Sequence, residues 1–345
     1  MKLKYREKKA FKSILCMVLT FIFYTIILAY TYRKNRLFCA VPLVWSTLAP
    51  EKISVIMRTW GQKCDGISFF IDSGTKKSFP QKYWDNLVEI DVVRKSGDGI
   101  GLDGKISKHV WEKVWRMHVY VYENLLNKYE WFSKIDSDTY LFPDNVKHYI
   151  GSKRWSSNDV HYFGHKLHHS KPNLISGPGT FFSRKTMQLL GPKLKKMPRE
   201  YGDRKHFKHG RCVDRDGATE ERTVSICLHE LGIHAEDVMT DDGRTRGLVW
   251  QPAAHLKKKR LANSTGWYWK NKPENAKDGK NCCADDPFFI HPYKTPWHML
   301  DLHKRLVGEK ELSNNIEDNY LRSVRAHSLS IHDKQTELLL ESRMK

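Results

Sequence analysis

Several signatures of well-known ligand-binding and repeat proteins are missing from this 345-residue sequence. It has no internal repeat and no zinc-finger spacing. A glycine-rich stretch, SGDGIGLDG at 96–104, matches neither a GxGxxG nor a Walker pattern, and we predict a mobile loop there. The sequence also lacks an RNA-binding signature and a basic helix with interleaved aromatic residues. Despite the net charge of +20, it therefore does not indicate a nucleic-acid partner.

Acidic residues are nearly missing from the first 36 positions, which hold nine basic residues and only Glu7 as an acid. Residues 13–32 carry no charge, and twenty helical residues would rise about 30 Å, the thickness of the hydrocarbon core. Basic residues are denser before this run than after it, and no small-residue cleavage site follows. We therefore predict a cytoplasmic tail at 1–12, a transmembrane signal anchor at 13–32 and a short stem at 33–40. A cleaved signal peptide and a buried core helix are the alternatives.

Cysteines are few but unevenly placed, since six of the seven follow the apolar run and only Cys16 lies within it. An even number of cysteines on the luminal side suits disulfides in an oxidising compartment. Cys212 and Cys227 could close a short loop. The adjacent Cys282 and Cys283 either bridge each other or pair with two separate partners. A zinc site with neighbouring histidines is the rival interpretation, but its spacing fits no standard zinc pattern.

Strands alternate with helices along the rest of the chain, which predicts an α/β fold with a largely parallel sheet. The content of hydrophobic residues, 40%, and of aromatic residues, 12%, is sufficient for a large core. From residue 309 to residue 345 the sequence is charged and has no apolar strand pattern, so we predict a C-terminal tail that is partly helical or disordered. The predicted strands are 41–49, 66–72, 88–93, 131–136 and 160–165, and 174–183 is predicted to be a Gly/Pro turn that leads into a strand. The predicted helices are 50–60, 107–128, 143–150, 184–190 and 219–232.

Two carboxylates, Asp136 and Asp138, follow an apolar strand in WFSKIDSDTYLFP, with only Ser137 between them. Like charges this close repel each other and resist burial, and a cation beside them removes both problems. If the chain stays extended, residues i and i+2 point to the same face. Carboxylate oxygens suit Mg²⁺ and Mn²⁺, and ligands of open α/β sheets bind beyond the carboxyl ends of strands. The pattern favours a metal–diphosphate site for a nucleotide sugar, with an ordinary acidic turn as the alternative.

Six segments, in this order and spacing, carry a resemblance to a known family. They are MRTWGQKCDGISFF, WFSKIDSDTYLFPDNVKHYI, ISGPGTFFSRKTM, TEERTVSICLHELGIHAED, WYWKNKP and CCADDPFFIHPY. Over roughly 41–306 the chain resembles the β-1,3-glycosyltransferase family, and within it the core 1 β-1,3-galactosyltransferases. The resemblance implies a single GT-A-like, Rossmann-like luminal domain at 41–308, in a single-pass type II protein of the Golgi or endoplasmic reticulum. It also implies inverting, Mn²⁺-dependent transfer of galactose from UDP-galactose to N-acetylgalactosamine on Ser or Thr of glycoproteins.

The same resemblance implies a metal and donor site. Asp136 and Asp138 correspond to the family's metal motif, with Asp138 as a direct Mn²⁺ ligand. His291 corresponds to the histidine ligand, although taken alone it would be interpreted as an ordinary, partly buried histidine. Arg58, in the first of the six segments, is expected to bind the donor together with the two aspartates.

The resemblance further implies a catalytic base and an acceptor site. Glu221 stands where the family has the Asp that takes the proton from the acceptor hydroxyl. Ordinary first-turn acids, favoured by the helix dipole, are the alternative. Trp267, Tyr268 and Trp269 are similar to an aromatic segment near the acceptor, with core packing as the alternative.

The family's disulfides correspond to Cys212–Cys227 and to a vicinal Cys282–Cys283, which leaves Cys39–Cys64 by elimination. Two other functions stay open. One is a non-catalytic luminal chaperone-like relative of the transferase, and the other is a β-1,3-N-acetylglucosaminyltransferase. The resemblance is also compatible with a homodimer.

Overall fold

The structure is a computed structural model that describes residues 35–44, 46–92, 95–96, 106–107, 110–168, 174–196, 212, 220–257, 267–273 and 275–344. The predicted membrane anchor at 13–32 and most of the predicted glycine-rich loop lie outside these residues. Within the described part, no helix combines the length and the apolar character needed to cross a bilayer.

The described residues form twelve β-strands and nine α-helices. The strands are β1 (Leu37–Pro42), β2 (Gly66–Asp72), β3 (Leu87–Ile90), β4 (Lys95–Ser96), β5 (Ile106–Ser107), β6 (Trp131–Ile135), β7 (Tyr140–Leu141), β8 (Tyr162–Leu167), β9 (Leu174–Ser183), β10 (Glu236–Asp237), β11 (Gly247–Leu248) and β12 (Phe289–Ile290). The helices are α1 (Ala49–Arg58), α2 (Trp111–Asn124), α3 (Pro143–Ser152), α4 (Arg184–Lys195), α5 (Glu220–His229), α6 (Pro252–Leu256), α7 (Trp267–Asn271), α8 (Pro296–Val307) and α9 (Ile316–Met344).

The main sheet has seven strands in the order β10-β8-β9-β6-β1-β2-β3. β6, β1, β2 and β3 are mutually parallel, whereas β9 runs antiparallel to β6 and β8. Side chains of β1 alternate between two cores: Leu37 and Val41 face one, and Phe38 and Ala40 face the other. The mixed α/β architecture with a parallel sheet confirms the α/β part of the predicted fold class.

The central strand begins earlier than predicted. β1 starts at Leu37, so the predicted stem at 33–40 contains part of a fully buried strand, and of the strand predicted at 41–49 only residues 41–42 belong to β1. All six residues of LFCAVP are apolar, and the strand pairs with β2 on one side and β6 on the other, which is typical of an interior parallel strand. Pro42 ends the strand because it has no N–H to donate to the ladder.

β9 is one ten-residue strand, although a Gly/Pro turn was predicted at its start. Its register against β8 shifts between Gly164 and Lys166, next to the segment that contains Pro178. A bulge tolerates proline because some ladder hydrogen bonds are already missing there. The carbonyl of Pro178 accepts a hydrogen bond from the backbone N–H of Asp136, with 3.2 Å between nitrogen and oxygen.

A small second sheet joins distant segments in the order β11-β12-β7. β12 runs antiparallel to β7, with Phe289 opposite Leu141 and Ile290 opposite Tyr140. Since β7 follows the acidic turn and β12 precedes His291, this pairing brings His291 to the end of β6.

The predicted charged tail at 309–345 contains α9, which packs on the domain through its first half. Tyr320, Leu321, Val324 and Ile331 are buried, and the Tyr320 hydroxyl donates to the carbonyl of Ala284 at 3.0 Å. The apolar stripe is interrupted by charged residues, which is why the sequence reads as a tail. The folded unit therefore extends beyond residue 308.

Three disulfides occur in the structure: Cys39–Cys64, Cys212–Cys227 and Cys282–Cys283. The first ties β1 to the segment before β2. The second ties residue 212 to α5, and the third joins neighbouring residues ahead of β12. These are the pairs that the resemblance and elimination predicted.

Candidate active site

The acidic pair lies in a tight turn directly after β6, rather than in an extended strand. The backbone N–H of Thr139 donates to the carbonyl of Asp136 at 3.0 Å, which closes a four-residue turn. The alternation argument for a shared face therefore does not apply. The turn itself brings the Asp136 and Asp138 carboxylates to one place, and both stay partly exposed.

His291 completes a three-residue cluster with these acids. The backbone N–H of Tyr293 donates to the carbonyl of Asp138 at 2.6 Å, which fixes the loop after β12 against the acidic turn. The His291 Nε2 atom lies 3.4 Å from Asp138 Oδ1. Asp136, Asp138 and His291 each offer one ligand atom, and these atoms lie within 4.8 Å of one another. This cluster could hold a metal ion.

The imidazole of His291 is oriented by its second nitrogen. Nδ1 lies 3.0 Å from the carbonyl oxygen of Val249, an acceptor, so Nδ1 carries the proton and donates. In the form that binds a metal ion, Nε2 would carry the lone pair, on the side of Asp138. A carbonyl behind a ligating histidine is a common second-shell arrangement in metal sites. Two carboxylates and one imidazole are a donor set that suits Mn²⁺.

Two lysines from other segments lie near the acids. Lys294 Nζ is 2.6 Å from Asp138 Oδ2. Lys52 of α1 is also near, since the charges of Asp138 and Lys294 both act on its pKa. Burial alone would raise the pKa of Asp138, but the hydrogen bonds and charges of His291 and Lys294 outweigh it and hold that pKa well below its usual range. Sequence reasoning missed both lysines, because only the fold brings their segments to the acidic turn.

A buried lysine, Lys134, links the acidic turn to α5. Its ammonium donates to Asp136 Oδ1 at 2.5 Å, to the carbonyl of Gly177 at 3.0 Å and to the carboxylate of Glu220. Burial opposes the charge of Lys134, but Asp136 and Glu220 more than compensate and raise its pKa. Sequence reasoning also missed this residue, although Lys134 stands two positions before Asp136 in an otherwise apolar strand.

Glu221, the predicted base, lies in the first turn of α5, near this lysine and against Gly177 of β9. A Cβ atom added at Gly177 would lie 3.5 Å from Glu221 Oε2 and 3.4 Å from Glu220 Oε1, so both acids lie against this glycine. Burial, followed by the charge of Glu220, raises the pKa of Glu221 to about 8. The structure thus brings the predicted base into the neighbourhood of the predicted metal ligands.

Arg58 lies away from this cluster in the described contacts. It is the last residue of α1 and is exposed, and its Nε donates to the Ser54 carbonyl of its own helix at 3.3 Å. Lys52, at the start of the same helix, is the basic residue of α1 that interacts with the acids. Six helical residues rise about 9 Å. Donor binding by Arg58 therefore stays a prediction without a described contact that supports it.

The aromatic segment of α7 belongs mainly to the core. The Tyr268 ring is 3% exposed and packs against the imidazoles of His165 and His255. Trp269 is partly buried against the same core, and the side chain of Trp267 lies outside the described part of the chain. In this arrangement neither face of the Tyr268 ring is accessible to a sugar, which agrees with the core-packing alternative. The acceptor role of Trp267 and Trp269 stays a prediction.

No protein-family model matches the chain. It is 24% identical over 272 residues to glycoprotein-N-acetylgalactosamine 3-beta-galactosyltransferase 1 of Xenopus laevis, and the match covers 78% of this chain and 66% of the relative. It is also 29% identical over 122 residues to chondroitin sulfate synthase 3 of Homo sapiens, covering 32% of this chain and 14% of that protein. The match thus spans just under two thirds of the first relative and a small part of the second.

A solved structure of a glycosyltransferase involved in the glycosylation of the major capsid of PBCV-1 covers 77% of this chain and 98% of its own. The identity is 13% and the TM-score 0.34, which is too low to support an argument about this fold. The Xenopus relative is named as a 3-beta-galactosyltransferase, and this match confirms the resemblance that the six segments indicated.

Proposed function

We propose that this chain, a sugar transferase by its sequence relatives, is a GT-A-like, Mn²⁺-dependent, inverting β-1,3-galactosyltransferase. Its donor would be UDP-galactose and its acceptor N-acetylgalactosamine on Ser or Thr of glycoproteins. The observation that carries the proposal is the meeting of Asp136, Asp138 and His291 within 4.8 Å of one another. The printed name of the Xenopus relative supports the choice of donor and acceptor.

In this proposal, Asp136, Asp138 and His291 hold the metal. When bound, Mn²⁺ would supply positive charge to the diphosphate of the donor as the glycosyl bond breaks. Lys294 and Lys52 are further cations beside Asp138, and both suit the phosphate oxygens of a nucleotide sugar. Lys294 is mostly exposed and is therefore free to exchange Asp138 for a phosphate oxygen.

Glu221 acts as the general base. Its carboxylate accepts the proton of the acceptor hydroxyl, whose oxygen forms the new bond to the anomeric carbon of galactose. The bond from that carbon to UDP breaks on the opposite face, its electron pair leaves with the diphosphate, and the configuration inverts. A raised pKa makes Glu221 a stronger base once it has lost its proton.

The protein would work in the lumen of the Golgi or endoplasmic reticulum, behind a signal anchor at residues 13–32. Three disulfides support an oxidising compartment, since disulfides are rare in the cytosol.

A donor and acceptor assay of the purified full chain in detergent tests the proposal. We expect UDP release from UDP-galactose that requires both a GalNAc-peptide and Mn²⁺ and stops with EDTA. Turnover with UDP-N-acetylglucosamine instead of UDP-galactose would support the same transfer reaction but with N-acetylglucosamine as the donor sugar. Background-level turnover with every donor, with or without Mn²⁺, would contradict the enzyme and favour the chaperone-like alternative.

A further inference from the structure

Lys134 connects the two halves of the candidate active site but is closed off from any ligand. Its side chain is 3% exposed, and its three ammonium protons have three acceptors, one each from the acidic turn, β9 and α5. It therefore has neither a free proton nor an open path to offer a donor or acceptor.

The surroundings of Lys134 leave it little room to move. The cavity between Lys134, His118 and the α5 acids measures about 10 Å³, which is space for no more than one water molecule. Burial and the neighbouring ammonium lower the pKa of His118 to about 3, so this imidazole is neutral and adds no competing charge.

Lys134 contacts two carboxylates, those of Asp136 and Glu220, and each contact has a different consequence. One oxygen of Asp136 binds Lys134, which leaves the other for a cation. Glu220 binds the same ammonium, and this contact fixes the first turn of α5, which also carries Glu221.

We propose that Lys134 is a positioning residue that holds Asp136 and the first turn of α5 in one fixed arrangement, so that metal binding and proton acceptance depend on the same ammonium. The inference rests on the proposed metal-dependent transfer and adds a residue that touches neither substrate. Second-shell partners of metal ligands typically affect metal affinity or activity by about 10- to 100-fold.

The test compares Lys134→Met with Arg184→Met in the full chain. Arg184 is a partly buried cation; it binds Glu130 and the Tyr129 carbonyl beside the opposite end of β6. We expect Lys134→Met to weaken Mn²⁺ binding, measured by electron paramagnetic resonance without donor, by about 10- to 100-fold. Arg184→Met should lower the melting temperature but leave Mn²⁺ affinity unchanged.

Turnover at saturating Mn²⁺ separates the two roles of Lys134. We expect kcat of Lys134→Met to stay at least about tenfold reduced, since added metal does not restore the position of α5, whereas Arg184→Met should keep the wild-type kcat. Full recovery of kcat would overturn the α5 half of the inference. Wild-type Mn²⁺ affinity in Lys134→Met would overturn the Asp136 half.

Two further outcomes keep the inference separate from folding defects and from the proposed function. If Lys134→Met does not fold, Lys134→Met/Glu220→Gln removes one of the unpaired buried charges and should fold while still binding Mn²⁺ weakly. Wild-type Mn²⁺ affinity in that double variant would contradict the inference.

The wild-type chain separates the inference from the proposed function. If it binds no Mn²⁺, the metal proposal and the Lys134 inference both fail. If it binds Mn²⁺ and Lys134→Met binds it equally tightly, only the inference about Lys134 is rejected.

Discussion

Single residues decide the chemistry of this site through their environment. Asp138 and Glu221 are both carboxylates, yet the structure moves their pKa values in opposite directions. His291 and Lys294 hold the pKa of Asp138 low, whereas burial and Glu220 raise that of Glu221 to about 8. The site thus combines an anion suited to a cation with a carboxyl suited to proton transfer.

The pH dependence of transfer tests the role of Glu221. Because a base must be deprotonated, kcat/KM should fall as the pH drops below about 8, by up to about tenfold per pH unit. A bound cation would move this midpoint down, since positive charge favours the carboxylate. Glu221→Gln should lower kcat about 100- to 10,000-fold with unchanged UDP affinity.

Glu236→Gln is the matched control, since Glu236 pairs with His161 and lies outside the acid cluster. It should keep both the wild-type rate and the pH profile. Substantial turnover by Glu221→Gln, with the acid limb intact, would place the base elsewhere.

The sequence identified some of these residues and could not identify others. Asp136 and Asp138 are visible as a pattern because only one residue separates them in the chain and they follow an apolar strand. His291 is recognisable only through the family resemblance, because it lies more than 150 positions away. Lys294 and Lys52 have no local signal at all.

At the scale of elements, the pairing of β12 with β7 carries His291 to the acids, and close packing on β9 holds that pairing. A Cβ atom added at Gly179 would lie 2.5 Å from the Phe289 ring of β12, an impossible approach, so only glycine fits. At Gly177 the corresponding contacts are at least 3.4 Å and ordinary.

Gly179→Ala should therefore displace β12 and weaken Mn²⁺ binding through His291, with a loss of stability of about 1–3 kcal/mol from overpacking. Mn²⁺ titration and denaturant unfolding check both effects. Gly177→Ala is the control and should bind Mn²⁺ as the wild type does. Equal affinities in all three proteins would show that Phe289 does not hold His291 in place.

The sequence predicted the bounds of an element correctly where the local pattern was complete, and incorrectly where pairing with neighbouring strands sets those bounds. The strand predicted at 66–72 matches β2 in its bounds. β1 was displaced in the prediction, because the apolar residues on both sides of Pro42 give no local signal for where pairing ends. β9 continues through Pro178 because it bulges against β8, where the step from Gly164 to Lys166 corresponds to the longer step from Thr180 to Ile175, and this register shift has no signal in the β9 sequence alone.

At the scale of the whole molecule, the folded unit includes part of the segment that its charge predicts to be a tail. In α9, Leu321 is fully buried, whereas Leu329 of the same helix is 53% exposed. Charged residues interrupt the apolar stripe of α9, so the sequence does not indicate which leucine is buried. The packing of α9 on the domain shows it.

Leu321→Ala should lower the free energy of unfolding by about 2–5 kcal/mol, because it removes buried methyl groups and leaves a cavity. Leu329→Ala should change it by less than about 0.5 kcal/mol, as surface substitutions usually do. Denaturant unfolding of the oxidised protein measures both. Equally small effects would mean that α9 does not pack on the domain in solution.

The most direct test is a Mn²⁺ titration, by electron paramagnetic resonance, of the full chain without donor. We expect one bound ion in the wild type, binding at least about tenfold weaker in His291→Ala, and wild-type binding in His298→Ala, which removes an exposed histidine of α8. If His291→Ala bound Mn²⁺ as tightly as the wild type, the joint site of Asp136, Asp138 and His291 would be contradicted.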